Sequence, residues 1–298
     1  MAEKIDITEL MAKVRKIRIL TNRLIDDQLS GDYHSTFKGQ GVEFDEVRPY
    51  EIGDDVRSID WNVTARTGVP YIKRYSEERE LTVLFLVDIS GSQGCGGSVK
   101  TKSEVSAEVA ALLALTAIQN QDKVGLILFS DKINQYIPPR KGRDSVMRLA
   151  REVLAAGDNA TGGTDMTAAL KYLNNVQKRR AVIFLVSDFI DCDNAENMLR
   201  TIAKRHDLIC VKVMDEAEQS LPDAGLVELE DPETGDMVLV DTSSKQVRDA
   251  FAENAQRRTE ELHNFFKRNA IEFLDVFTGK PYINDIRTLF KRRACKRK

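Results

Sequence analysis

Val83-Leu-Phe-Leu-Val-Asp88-Ile-Ser90-Gly-Ser92 is the stretch that decides the fold. The apolar run Leu81–Val87 has strand length and no alternation, as in a strand buried on both faces. It stops at a carboxylate followed by two hydroxyls. The pattern returns in Ile183-Phe-Leu-Val-Ser-Asp188, where Ala181–Val186 is the apolar run, and Gly162-Gly-Thr164-Asp165 lies between the two. Working outward, Lys123–Phe129, Leu208–Met214 and Ile271–Val276 read as further strands, with Ile133–Ile137 as a short hairpin partner. Glu104–Gln119, Arg143–Ala155, Thr167–Val176, Asn194–Lys204 and Ser244–Asn269 have helical spacing. Gly225–Glu230 and Asp236–Val240 flank Asp231-Pro-Glu-Thr-Gly235, a hairpin signature. Strands alternating with helices predict an α/β fold: a mostly parallel sheet with helices on both faces.

Two segments differ from this pattern. Ile5–Gln28 reads as an amphipathic helix. Residues 30–80 are rich in Gly, Asp, Arg and aromatics, with short strand-like pieces such as Val69–Tyr75, and hold the only Trp, Trp61. The expected organisation is therefore an N-terminal helix (1–29), a small β-rich segment (30–80), a large α/β domain (81–285) and a basic tail (286–298). The tail, ending Lys291-Arg-Arg-Ala-Cys-Lys-Arg-Lys298, is read as solvated and disordered.

The 298 residues are 42% apolar and 31% charged, an ordinary globular balance. Basic residues number 44 and acidic ones 47. Six of the basic ones fall in 291–298, leaving 38 against 47 and a body at −9. That balance does not suit a nucleic-acid binder. Every apolar run is shorter than the ~18 residues of a membrane span. The first ten residues lack a signal-peptide core. A cytoplasmic location is expected. Cys95, Cys192, Cys210 and Cys295 show no metal-site spacing, and three His leave little material for histidine catalysis.

In open α/β sheets the ligand site lies beyond the carboxyl ends of the strands. Asp88, Ser90 and Ser92 at i, i+2 and i+4 can converge on one point there. Thr164 adds a hydroxyl and Asp188 a second carboxylate. These hard oxygen donors suit Mg²⁺, Mn²⁺ or Ca²⁺ rather than zinc. Two carboxylates and three hydroxyls leave a divalent ion short of ligands, so an acidic group from a partner can complete the shell.

These five residues resemble the metal-ion-dependent adhesion site of the von Willebrand factor A fold, a Rossmann-type sheet. Asp88, Ser90, Ser92, Thr164 and Asp188 match its order. The resemblance implies direct or near-direct metal contact from the hydroxyls, water-mediated contact from the aspartates, and a ligand carboxylate at the open position. Gly41-Val-Glu-Phe-Asp-Glu-Val-Arg-Pro-Tyr50, Gly53-Asp-Asp-Val-Arg-Ser-Ile-Asp-Trp61 and Ala65-Arg-Thr-Gly68 resemble the bacterial domain-of-unknown-function 58 family. That family joins such a segment to a von Willebrand A-like domain and is commonly encoded near a MoxR-type AAA+ ATPase. It implies a role in ATPase-assisted assembly, maturation or metal insertion of client proteins. Many members carry membrane spans, and this chain resembles the short soluble branch.

The function expected is a non-enzymatic, metal-dependent adaptor for a MoxR-type ATPase and a client. The alternative is a phosphatase-like metal-dependent hydrolase, against which no Lys or Arg closely follows the metal motif. Gly91–Ser98 nearly matches a P-loop, but Gly97 stands where the phosphate-binding Lys belongs. Arg48, Asp54, Asp55, Arg57, Asp60, Trp61 and Arg66 read as a salt-bridged clamp anchored by Trp61, or as a docking surface. Asp165 and Asp193 read as helix-start residues, and Asp165, Asp191 and Asp193 alternatively tune the site. Cys95 reads as incidental.

Overall fold

The computed structural model describes residues 12, 14–17, 29, 32–33, 36–37, 41–78, 80–94, 100–157, 162–190, 192–231 and 235–296. Most of the expected Ile5–Gln28 helix lies outside them, though 12 and 14–17 are helical, and so do Cys95–Val99 and Asp191. The chain divides into two compact units.

The smaller, Phe37–Leu81, pairs β1 (Gly41–Pro49) antiparallel with β2 (Tyr71–Glu78), and α1 (Trp61–Thr67) lies between them in sequence. Asp60 starts α1 by accepting from the Asn62 and Val63 amides. Gly68 ends it in the left-handed region at φ 74°. The Arg48 guanidinium donates to Asp54 at 2.7 Å. Trp61 is 68% exposed.

The larger unit runs β3 (Thr82–Asp88), α2 (Lys102–Gln119), β4 (Lys123–Phe129), β5 (Ile133–Arg140), α3 (Arg143–Gly157), α4 (Met166–Val176), β6 (Val182–Ser187), α5 (Glu196–Arg205) and β7 (Asp207–Met214). Then follow the hairpin β8 (Leu226–Glu230) and β9 (Met237–Asp241), α6 (Lys245–Arg268), β10 (Glu272–Phe277) and α7 (Ile283–Lys296). The six-stranded sheet has the order β10-β7-β6-β3-β4-β5. All neighbours are parallel except β5, which runs antiparallel to β4 at one edge. Pro138 and Pro139 are tolerated in β5 because an edge strand need not donate on both sides. Gly125 lets β5 approach, since a Cβ there would lie 2.8 Å from the Ile137 carbonyl oxygen.

The central strands are buried on both faces, as their unbroken apolar runs predict. Leu84, Leu86, Ile183, Leu185, Leu208 and Cys210 pack in one core with residues of α4, α5 and α6. Phe85 and Phe184 belong to the opposite face and stack at 5.2 Å between centroids. Each such side chain contributes about 1.5–3 kcal/mol by leaving water.

The basic tail is a correction. The chain is helical to Lys296, and Ile286, Leu289 and Phe290 are buried at helical spacing. Arg293 makes a two-pronged bond to the Asp207 carboxylate at 2.6 and 2.7 Å. Its charge is thus spent on tertiary structure rather than left in solvent. The buried Tyr33 hydroxyl donates to Asp122 at 2.7 Å, and Thr36 Oγ1 to the Phe290 carbonyl at 2.9 Å, so these N-terminal residues belong to the larger unit.

Candidate functional site

Sheet order places the site. From β3 the chain passes to β4 on one side, and from β6 to β7 on the other. The loops leaving β3 and β6 therefore diverge, and a crevice forms at their carboxyl ends. Asp88 ends β3 and Asp188 directly follows β6.

Asp88 is 2% exposed. Its Oδ1 accepts from the Ser90 amide at 2.9 Å, and its Oδ2 accepts from Ser187 Oγ at 2.8 Å. Ser90 and Ser92 are buried with their hydroxyl oxygens 3.1 Å apart. A turn of 3₁₀ helix, Gly91–Gly94, follows Ser90 directly and carries Ser92. Thr164 is drawn to the same edge by its backbone neighbours. The Gly91 amide donates to the Gly162 carbonyl at 3.0 Å, and the Asp165 amide to the Ser130 carbonyl at 2.8 Å. Asp165 is the N-cap of α4, accepting from the Ala168 amide, rather than a first-turn acid. The N-cap residue of α5 is Ala195, without a side-chain bond, and the Asp193 side chain lies outside the described residues.

Three participants were not assigned a role from the sequence. Lys102, the first residue of α2, is 1% exposed and donates to Asp188 Oδ2 at 2.8 Å and Glu218 Oε1 at 2.5 Å. A cationic side chain does therefore stand beside the cluster, contrary to expectation. Burial disfavours its charge, but Asp188 and Glu218 outweigh that and raise its pKa above the ordinary lysine value. Ser187 ties β6 to β3 through Asp88. Gln93 is fully buried beside Ser92, and its amide has no partner among the described residues. The signals were the Ser before Asp188 and the Lys opening the next helix, but each is too common to interpret alone.

The electrostatics are unbalanced. Burial, and then the charge of Asp188, push the Asp88 carboxyl from 3.8 up to about 6. Asp88, Asp188 and Glu218 outnumber Lys102, the one cation that Asp188 and Glu218 share, so the negative charge here is in excess. Among the described residues no three His, Cys, Asp or Glu side chains gather as a ligand set. The oxygen cluster instead offers two carboxylates with Ser90, Ser92 and Thr164. That donor set, with uncompensated negative charge and an orphaned amide beside it, fits a hard divalent cation.

The family model described as "Protein of unknown function DUF58" matches residues 46–261. The chain belongs to the DUF58 family. It is 30% identical over 284 residues to the uncharacterized protein Rv1480 of Mycobacterium tuberculosis, covering 95% of this chain and 89% of that one. The uncharacterized protein MAV169 of Mycobacterium avium is 30% identical over 158 residues, 53% of this chain and 93% of its own. Among solved structures, BatB from Bacteroides thetaiotaomicron superposes with a TM-score of 0.47 at 15% identity, over 72% of this chain and 99% of its own. The SpRpn10 VWA domain does so with a TM-score of 0.37 at 10% identity, over 70% and 93%. The sheet of this DUF58 chain, six strands with five parallel and helices between them, is of the Rossmann-type α/β class. Among its described residues no helix is long and apolar enough to cross a membrane.

Proposed function

We propose that this DUF58 protein is a non-enzymatic, metal-dependent adaptor. Asp88, Ser90, Ser92, Thr164 and Asp188 would hold a divalent cation, Mg²⁺ or alternatively Mn²⁺ or Ca²⁺, at the crevice between β3 and β6. Such a cation supplies a Lewis-acidic point for one carboxylate of a protein partner. The supporting observation is the buried, net-negative oxygen cluster. A dication offsets that excess negative charge, and coordination positions left open by these five residues can accept one Asp or Glu from a partner. Ser187 and Lys102 position the two aspartates rather than ligate. The partners proposed are a MoxR-type AAA+ ATPase, as the energy source, and a client protein, in the cytoplasm. One carboxylate–Mg²⁺ contact is weak alone because Mg²⁺ sheds water reluctantly, so selectivity comes from surrounding surface.

The test is capture from native extract by the purified chain, with Mg²⁺ or chelator. The expected result is an ATPase or client retained only with metal, and lost in folded Asp88→Ala and Ser90→Ala variants. Capture that ignores chelator and both substitutions would sink the adaptor reading.

Lys102 beside Asp188 favours a second reading, metal-assisted phosphoester hydrolysis. Against it, Lys102 is engaged by two carboxylates, and Asp88 already accepts from Ser187 and the Ser90 amide. Turnover of p-nitrophenyl phosphate by purified protein, lost in Asp88→Ala, would put hydrolysis first.

A further inference from the structure

A cavity of about 460 Å³ opens between the carboxyl ends of β6 and β7 and the helix α6. It shares Asp188 with the metal-site candidates but none of Ser90, Ser92 or Thr164. Phe189, Leu199, Leu262 and Phe265 line it as apolar wall. Lys212 of β7 also lines it, and this lysine is 8% exposed.

Lys212 sits on the sheet face of Leu208 and Cys210, in register with Ser187 on β6 and Asp275 on β10. Among the described residues its ammonium makes one hydrogen bond, to Thr259 Oγ1 at 3.0 Å, and no ion pair. The nearby acids are taken. Asp188 and Glu218 share Lys102, Asp275 is held by His263 at 3.0 Å, and Glu196 by Arg200 at 2.7 Å. An ammonium has three donors, so two remain for a ligand. A buried lysine without a counter-ion is costly, and burial lowers its pKa despite the fields of Asp275, Glu218 and Asp188. The unmet demand in this cavity is therefore for one negative charge beside apolar surface. A dianionic phosphate would exceed the one buried cation, since Arg258, which also lines the cavity, is exposed to solvent.

We propose that this cavity binds a small monocarboxylate with an apolar body, its carboxylate on Lys212 and its body against Phe189, Leu199, Leu262 and Phe265. The proposal goes beyond the adaptor reading and does not depend on it.

Calorimetric titration in chelator, with no divalent metal, tests it with hexanoate, octanoate and octanol. Octanoate is expected to bind saturably and more tightly than octanol. Affinity should rise about fourfold per methylene from hexanoate to octanoate. Lys212→Met removes the charge at nearly constant volume and should weaken octanoate about ten- to hundredfold while leaving octanol unchanged. Leu262→Trp fills the cavity and should weaken both. No octanoate binding at millimolar concentration, or equal affinity in wild type and Lys212→Met, overturns the proposal. Because metal is absent throughout, neither outcome bears on the cation site.

Discussion

Asp88→Asn is expected to make the metal-free protein more stable while disabling its candidate metal site. Burial and the facing Asp188 raise the Asp88 carboxyl from 3.8 to about 6. A folded-state pKa above the unfolded value means the native state holds a proton that the unfolded chain has released. Stability therefore falls as pH rises from about 4 to about 6, and the full penalty stands above that window. A shift of about two units, at about 1.4 kcal/mol each, amounts to about 3 kcal/mol at pH 7.5. Asparagine has the shape of the protonated acid. Its oxygen can still accept from the Ser90 amide, and the Ser187 hydroxyl can rotate to accept from the new amide group. Thermal unfolding in chelator should show the variant melting roughly 6–12 °C higher at pH 7.5, given the size of the larger unit. At pH 4.5 the advantage should shrink to about 1 kcal/mol. Saturating Mg²⁺ should narrow the gap at pH 7.5, because only the wild type gains binding energy. Equal melting temperatures at pH 7.5, or a gap that ignores pH, would refute the claim that Asp88 is held charged against its environment.

Lys102→Met removes the cation between Asp188 and Glu218 and leaves Asp188 buried without it, so a loss of about 3–5 kcal/mol is expected in urea unfolding. His206 is buried with neither ring nitrogen partnered among the described residues, and burial, then Arg205 and Arg180, lower its pKa to about 4. The unfolded chain then takes up a proton first as pH falls, so stability drops from about pH 6.5 toward 4. The drop is about 1–2 kcal/mol once solvent screening is allowed for, and His206→Leu should flatten that limb of the pH–stability curve. Arg293→Gln breaks the two bonds to Asp207 and should cost about 2–3 kcal/mol, with faster amide hydrogen exchange concentrated in α7.

The sheet was legible because its central strands carry unbroken apolar runs, and such runs leave few alternatives to a doubly covered parallel sheet. Asp88, Ser90, Ser92 and Asp188 were legible as candidates because they stand at or just after strand ends, and Thr164 because it lies just ahead of a helix start. Lys102 was not, because its partner Asp188 lies 86 residues away and nothing local marks a helix-opening lysine as buried. The same separation hid the Arg293–Asp207 pair. Without it, Ile283–Lys296 reads as a charged end, although Ile286, Leu289 and Phe290 already had helical spacing.

Binding of Mn²⁺, followed by electron paramagnetic resonance of the free ion, tests the central claim most directly. One Mn²⁺ per wild-type chain is expected, with binding lost in Asp88→Asn and strongly weakened in Ser90→Ala while both variants keep the wild-type circular dichroism. Absence of saturable Mn²⁺ binding by the wild type, or undiminished binding by both variants, would contradict a cation site at the ends of β3 and β6.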